Sequence, residues 1–148
     1  EESERKVMAV VNAALRASGL AVKAIKRDSY DCYVELELVG RDAQRFAGPQ
    51  LDALQYILNI IINKRYDKDT RVLLDVGDYR KQRAEKLRRM ALEVAKQVKE
   101  RGEEAVLDPL NATERRVIHH ALMNDPDVYT YSEGEEPERR VVISPRKQ

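Results

Sequence analysis

The chain has 148 residues, enough for one medium domain or two small ones. Its 27 Lys and Arg residues against 26 Asp and Glu residues leave a net charge of +1, so no overall basic field indicates a nucleic-acid partner. The one cysteine, Cys32, excludes an internal disulfide framework and a multi-cysteine metal site, and it fits a cytoplasmic protein. No apolar stretch is long enough to predict a membrane segment.

The first predicted elements are a helix and a β-hairpin. Apolar residues recur at helical spacing over residues 7–15. Residues 21–27 favour a strand, and the alternation of apolar and polar residues over 32–38 is typical of a half-buried strand. We therefore expect a turn at residues 28–29 and place Cys32 on the buried face of the second strand.

The most continuously apolar segment is residues 48–64. Pro49 suits the first turn of a helix. Because Tyr56, Ile57 and Ile60 extend the apolar surface around most of the circumference, we predict a buried central helix.

A short helical segment over residues 41–46 precedes this helix, and an alternating strand over residues 72–76 follows it. The resulting order is α-β-β-α-α-β. We assign residues 1–78 to a first domain and residues 79–148 to a second, and the predicted fold class is α+β.

A long helix over residues 79–101 opens the second domain, and its first half is strongly basic. The cations are Arg80, Lys81, Arg83, Lys86, Arg88 and Arg89. Two interpretations stay open for this charge run, a solvated helix face or a surface that binds nucleic acid.

The rest of the second domain is predicted as a helix over residues 112–123 and a hairpin of strands over 128–132 and 139–143. Asn111 with Glu114 three residues later resembles a capping box at the start of the helix. This domain is therefore a small α+β unit.

Four side chains of the helix over 112–123 are candidates for binding an anion. Arg115 and His119 lie four residues apart on one ridge, and Arg116 and His120 lie on the next. A guanidinium and an imidazole can both donate hydrogen bonds to a phosphate. The spacing alone fits equally a histidine at the edge of the core beside a solvated arginine.

Enzymatic and metal chemistry have almost no support in the sequence. The adjacent histidines point about 100° apart on a helix and suit one ion poorly. Neither belongs to a nucleophile motif, and the chain has no P-loop or dinucleotide fingerprint. We expect a non-enzymatic protein without a metal or cofactor.

Two pairs of sequence blocks carry a family resemblance. The segments Gln-Leu-Asp-Ala-Leu-Gln-Tyr and Val-Leu-Leu-Asp-Val-Gly-Asp-Tyr-Arg-Lys-Gln-Arg resemble the type II KH domain of the bacterial Jag family, also called EloR or KhpB. The segments Leu-Asn-Ala-Thr-Glu-Arg-Arg-Val-Ile-His-His-Ala-Leu and Ser-Glu-Gly-Glu-Glu-Pro-Glu-Arg-Arg-Val-Val-Ile resemble the family's C-terminal domain. That domain is named for an Arg and a His separated by three residues and is called here the Arg-x-x-x-His domain. These signature residues fall on Arg115 and His119.

The resemblance implies binding of single-stranded RNA, with single-stranded DNA as an alternative. It also implies a link to cell elongation or sporulation and to a small single-KH partner. Family members commonly carry a further N-terminal domain. If Arg115 and His119 contact phosphate, affinity should rise as the pH falls through about 6.5 and the histidine gains charge.

One departure from the family pattern concerns the Gly-x-x-Gly loop with which KH domains clamp the nucleic-acid backbone. In this chain the loop aligns with Arg45-Phe46-Ala47-Gly48. Either Arg45 supplies a phosphate contact itself, or this unit has lost RNA binding and pairs with itself or with a small KH protein. The second alternative shifts RNA binding to Arg115, His119, Arg116 and His120, with Arg80 and Arg83 from the basic helix.

Tyr129 and Tyr131 occupy alternate positions of a predicted strand and therefore share a face. They are either a stacking platform for bases or ordinary strand tyrosines half-packed on the sheet.

Overall fold

The computed structural model describes residues 2–66 and 68–146. The chain divides into two compact units, Glu1–Arg80 and Lys81–Gln148. Both units mix helices with a three-stranded sheet, which confirms the α+β class. None of the helices in the described ranges is long and apolar enough to cross a membrane.

The first unit builds one sheet with two helices and a short 3-10 helix. Its elements are α1 Glu2–Ala17, β1 Lys23–Tyr30, β2 Tyr33–Val39, a 3-10 helix at Ala43–Phe46, α2 Pro49–Arg65 and β3 Arg71–Asp75. The strand order is β1-β2-β3, with β1 antiparallel and β3 parallel to β2. The inward side chains of β2 and β3 pack with Val11, Leu51 and Leu58 in one core.

The predicted position of the first hairpin turn was wrong. The strands continue to Tyr30 and resume at Tyr33, so the turn lies at residues 31–32, where Asp31 has a φ of 51°. Aspartate tolerates this left-handed conformation better than most residues. A register shift between Lys26 and Asp28 accommodates the polar pair inside β1. Cys32 consequently sits exposed at the turn and not on a buried face.

Helix α2 is amphipathic and is not buried on all sides, which corrects the expectation of an enclosed helix. Leu58 is buried against the sheet, whereas Tyr56 is 69% exposed, Ile57 54% and Ile60 43%. Both faces of the helix are apolar in sequence, and only one of them meets the core.

The free edge of β3 has its backbone groups occupied by side chains. The amide of Asn59 both accepts from the N–H of Val72, at 2.7 Å, and donates to its carbonyl, at 3.1 Å. Gln55 Oε1 accepts from the N–H of Leu74 at 2.9 Å, and Arg80 Nε donates to the carbonyl of Leu74 at 2.7 Å. These contacts cover donors and acceptors that would otherwise be available to an added strand.

The second unit packs two helices on one face of an antiparallel sheet. Its elements are α3 Tyr79–Arg101, whose first turn belongs to the first unit, β4 Ala105–Val106, α4 Ala112–Leu122, β5 Val128–Glu133 and β6 Arg140–Pro145. The strand order is β4-β6-β5. Val141 and Ile143 of β6 point into the core with Leu87, Ala91 and Ile118.

Candidate nucleic-acid interface

Helix α4 begins with the predicted capping box, which the structure confirms. Asn111 Oδ1 accepts from the N–H of Glu114 at 2.8 Å, and Glu114 Oε1 accepts from the N–H of Asn111 at 3.3 Å. The other carboxylate oxygen of Glu114 accepts from Arg83 Nε of α3 at 2.8 Å. Glu114 therefore fixes both the start of α4 and its attachment to α3.

Arg115 is buried and has internal partners. It is 8% exposed, and its guanidinium donates to the carbonyl of Leu110 and to the carboxylate of Glu136. These partners lie in the loop before α4 and in the turn between β5 and β6. The observed contacts thus give Arg115 a role in holding three segments together.

His119 is half-buried against β5, with both ring nitrogens hydrogen-bonded. Nδ1 lies 2.6 Å from Thr130 Oγ1 and Nε2 lies 2.9 Å from Ser132 Oγ. A neutral imidazole can donate to one hydroxyl and accept from the other. Burial, together with the charge of Arg115, lowers the pKa of His119 below its usual 6.5. The ring is therefore neutral at physiological pH, and a gain of charge as the pH falls through 6.5 is not expected of it.

Arg116 and His120 present the opposite picture. Both are exposed, and neither has a hydrogen-bond or ion-pair partner among residues 2–66 and 68–146. They lie four residues apart and so share a ridge of α4. Both side chains are free to meet a ligand.

An open groove of about 420 Å³ runs between this ridge and the β5–β6 hairpin. Arg139 reaches the groove from the hairpin side, and its guanidinium is oriented by a 2.6 Å hydrogen bond to the carbonyl of Gly134. The lining residues are Ala112, Arg115, Arg116, His119, His120, Met123, Ser132 and Arg139. The groove therefore combines free cations with hydroxyl and imidazole groups, a composition suited to an anionic ligand.

Arg139 is the functional candidate that sequence reasoning missed. Its position just before β6 puts it at the end of the hairpin nearest α4, but the long-range packing of α4 on the hairpin was needed to show this. The only sequence signal was its place in the acidic and basic run of the hairpin turn.

The loop of the first unit that aligns with Gly-x-x-Gly provides one exposed cation. Arg45 is exposed, with its Nε 3.5 Å from Asp42 Oδ1. Phe46 packs against the core, Ala47 is half-buried and Gly48 is buried. A Cβ at the position of Arg45 in place of glycine, and a phenylalanine turned inward, leave little main chain open to a phosphate.

The two arginines singled out in the basic half of α3 are engaged within their own units. Arg80 contacts Asp52 and Gln55 as well as the carbonyl of Leu74, all in the first unit. Arg83 pairs with Glu114 in the second. The exposed cations that remain on this helix are Lys81, Lys86, Arg88 and Arg89.

Comparison with known proteins identifies the second unit. Residues 85–145 match the domain family that takes its name from an Arg and a His separated by three residues. The second unit contains an Arg-x-x-x-His domain. The match includes Arg115 and His119, which confirms the domain expected from the sequence.

The chain is also similar to bacterial proteins named RNA-binding protein KhpB. The protein of Clostridium symbiosum is 44% identical over 101 residues, which are 68% of this chain and 46% of that protein. The protein of Lactiplantibacillus plantarum is 40% identical over 100 residues (68% and 31%), and that of Bacillus subtilis is 31% identical over 102 residues (68% and 49%). The chain spans less than half the length of these relatives. The likeness supports the resemblance to the Jag family.

Proposed function

We propose that this chain is a non-enzymatic, single-stranded RNA-binding protein of the Jag family and that its Arg-x-x-x-His domain holds the phosphate backbone. The domain match and the relatives named RNA-binding protein KhpB support this proposal. The observation that carries it is the groove in which Arg116 and His120 of α4 face Arg139 of the hairpin. By resemblance to the family, the binding serves regulation of cell elongation or sporulation.

Within the signature helix, we assign different roles to neighbouring residues. Arg116 and Arg139 contact phosphates through their guanidinium groups, and His120 donates a further hydrogen bond. Arg115 and His119 are positioning residues, because their polar atoms are already bonded to the hairpin and to the loop before α4. They hold the ridge and the hairpin at the spacing that forms the groove.

The first unit is proposed to be KH-like. Its order of α, β, β, a 3-10 helix, α and β, with β3 parallel to β2, supports this assignment. Its loop at residues 45–48 offers Arg45 as the one exposed cation, so we expect this unit to add little to RNA affinity.

The function is tested by fluorescence anisotropy of a labelled single-stranded RNA of about 12 nucleotides at about 100 mM salt, with a duplex RNA and a single-stranded DNA of the same sequence for comparison. We expect binding of the single strand and weaker binding of the duplex, since the groove is an open channel lined by side chains and not a wide surface. Equal affinity for DNA would extend the ligand to single-stranded nucleic acid in general. No binding of any of the three probes would overturn the proposal.

A second candidate function, a protein-protein module, is favoured by helix α2. Tyr56, Ile57 and Ile60 form an exposed apolar stripe, and the edge of β3 is covered by side chains, so pairing would use the helix face and not strand addition. The proposed partner is a second copy of this chain or a small KH protein. Both functions can coexist, since the stripe and the groove belong to different units.

A further inference from the structure

The outer face of the β4-β6-β5 sheet, on the side away from α4, carries an apolar and aromatic surface. In the central strand, Val142 points to this face, opposite to Val141 and Ile143 in the core, and is itself fully buried among its neighbours. Those neighbours in register are Val106 on β4, which is 50% exposed, and Tyr131 on β5, which is 36% exposed. Tyr129 lies two residues from Tyr131, 43% exposed, on the same face.

The two tyrosine rings are oriented to receive a planar group. Their centroids are 6.0 Å apart and their planes differ by 25°. Nearly parallel rings on an open sheet present π-faces with negative potential to the solvent. A shallow cavity of about 410 Å³ adjoins Tyr129 and is also lined by Gly102, Glu104 and Ser144.

Glu104 supplies a carboxylate at the edge of this aromatic surface. Its Oε2 accepts a 3.1 Å hydrogen bond from the hydroxyl of Tyr131. Among the described residues, no lysine or arginine forms an ion pair with Glu104. Glu133 lies further along β5 on the same face, opposite Arg140 in the register. Partial burial, then the bond to Glu104, raises the pKa of Tyr131, so its hydroxyl stays protonated and holds the carboxylate in place.

We propose that this face, defined by Tyr129, Tyr131, Val106 and Glu104, binds an arginine side chain in a basic segment of a partner protein. A guanidinium is planar, stacks on aromatic rings and pairs with a carboxylate through parallel N–H groups. The aliphatic part of an arginine fits over Val106. Charge complementarity selects this ligand, because a carboxylate without a cationic partner among the described residues stands beside two aromatic faces.

The same charges disfavour RNA at this face. A base stacked on Tyr131 would bring its phosphates toward Glu104 and Glu133, whereas the free cations Arg116 and Arg139 line the groove on the other side of the hairpin. A lysine would keep the charge but lose the planar stacking and the paired hydrogen bonds. The structure therefore assigns the two ligands, a phosphate backbone and a guanidinium, to different surfaces of one domain.

The test uses the full chain and a short fluorescein-labelled peptide that alternates arginine and glycine, with anisotropy measured at about 150 mM salt. Two matched peptides carry lysine or citrulline in place of every arginine. Citrulline keeps the planar shape without the charge, and lysine keeps the charge without the plane. The variants are Glu104→Gln and Tyr131→Leu, and Glu93→Gln, which removes an exposed carboxylate elsewhere on α3, is the control.

We expect the arginine peptide to bind, the lysine peptide to bind at least about threefold more weakly, and the citrulline peptide to show no binding. Glu104→Gln and Tyr131→Leu should each weaken the arginine peptide by about fivefold or more, while Glu93→Gln should leave it unchanged. Circular dichroism checks that each variant is folded. Equal binding to all the variants, or equal binding of the arginine and lysine peptides, would overturn the proposal by revealing only general charge attraction.

A parallel titration with the single-stranded RNA separates this site from the groove. Glu104→Gln and Tyr131→Leu should leave RNA affinity within about twofold of the unaltered chain. If Tyr131→Leu instead weakens RNA binding and the arginine peptide does not bind, the face belongs to RNA and the arginine site is refuted. Failure of the chain to bind RNA would leave the peptide result intact.

Discussion

The guanidinium of Arg115 donates to the carboxylate of Glu136, and this pair joins α4 to the turn between β5 and β6. Arg115 is 8% exposed, whereas the side chain of Glu136 is 57% exposed, so the arginine is the buried member of the pair. Because a second bond reaches the carbonyl of Leu110, the first residue of the Arg-x-x-x-His signature acts here as a structural clamp.

Replacing Arg115 with alanine should lower the stability of the Arg-x-x-x-His domain by about 2 kcal/mol, since it removes two hydrogen bonds and packed methylene groups at once. The matched control, Arg116→Ala, should change stability by less than about 0.5 kcal/mol because that side chain is exposed and has no partner among the described residues. Amide hydrogen exchange across α4, read by mass spectrometry, measures both. Similar protection in the two variants would contradict the clamp.

The stability of this domain should also depend on pH through His119. Its folded pKa lies below 6.5, so between the two values the unfolded chain binds more protons than the folded one. The stabilisation is complete above pH 6.5 and declines as the pH falls through the folded pKa. Urea unfolding of the chain and of His119→Gln between about pH 8 and pH 5 measures this effect. The variant should be less stable at the upper end of this range and show a smaller loss on acidification, and identical slopes would exclude His119 as the source.

The cap of α4 can be tested separately. Asn111→Ala should cost about 1 kcal/mol, because it leaves the N–H of Glu114 without its acceptor. Asn111→Asp retains an acceptor at the same place and should recover most of that loss. Thermal unfolding of the three proteins gives the comparison. A cost as large for aspartate as for alanine would show that some other contact of Asn111 matters more.

If helix α2 mediates pairing, a charge on its exposed stripe should prevent it. Ile57→Glu and Ile60→Glu place carboxylates on residues that are 54% and 43% exposed, so the fold should tolerate them. Size-exclusion chromatography with light scattering, at several concentrations, should show a larger species for the unaltered chain and a monomer for the double variant. A monomer at every concentration for the unaltered chain would remove self-pairing and leave a small KH protein as the proposed partner.

Local sequence patterns predicted most of the elements because periodicity and capping are properties of neighbouring residues. Helix α3 was predicted at its observed bounds, Tyr79–Arg101, and the box of Asn111 and Glu114 was read from two positions. The first turn was misplaced because Asp28 and Ser29 have turn chemistry, yet a strand irregularity accommodates them.

Burial was harder to predict than secondary structure, because it depends on residues distant in sequence. Helix α2 is apolar on both faces, and the sequence does not say which face meets the sheet. Arg115 is buried by Glu136, 21 positions away, in a turn rich in acidic residues that local reasoning treats as solvated. The signature located the helix of the groove but not the division between clamp residues and free ones.

The most direct test of the account is the salt dependence of RNA affinity for Arg116→Ala/Arg139→Ala against the unaltered chain. Lys96→Ala/Arg101→Ala removes the same charge from exposed positions of α3 and serves as the control. If Arg116 and Arg139 each contact a phosphate, the slope of log affinity against log salt should become shallower by about 1.4, at about 0.7 for each contact on a single strand, and the control should keep the full slope. An unchanged slope in the groove variant, with RNA still bound, would contradict the assignment of the phosphate backbone to this groove.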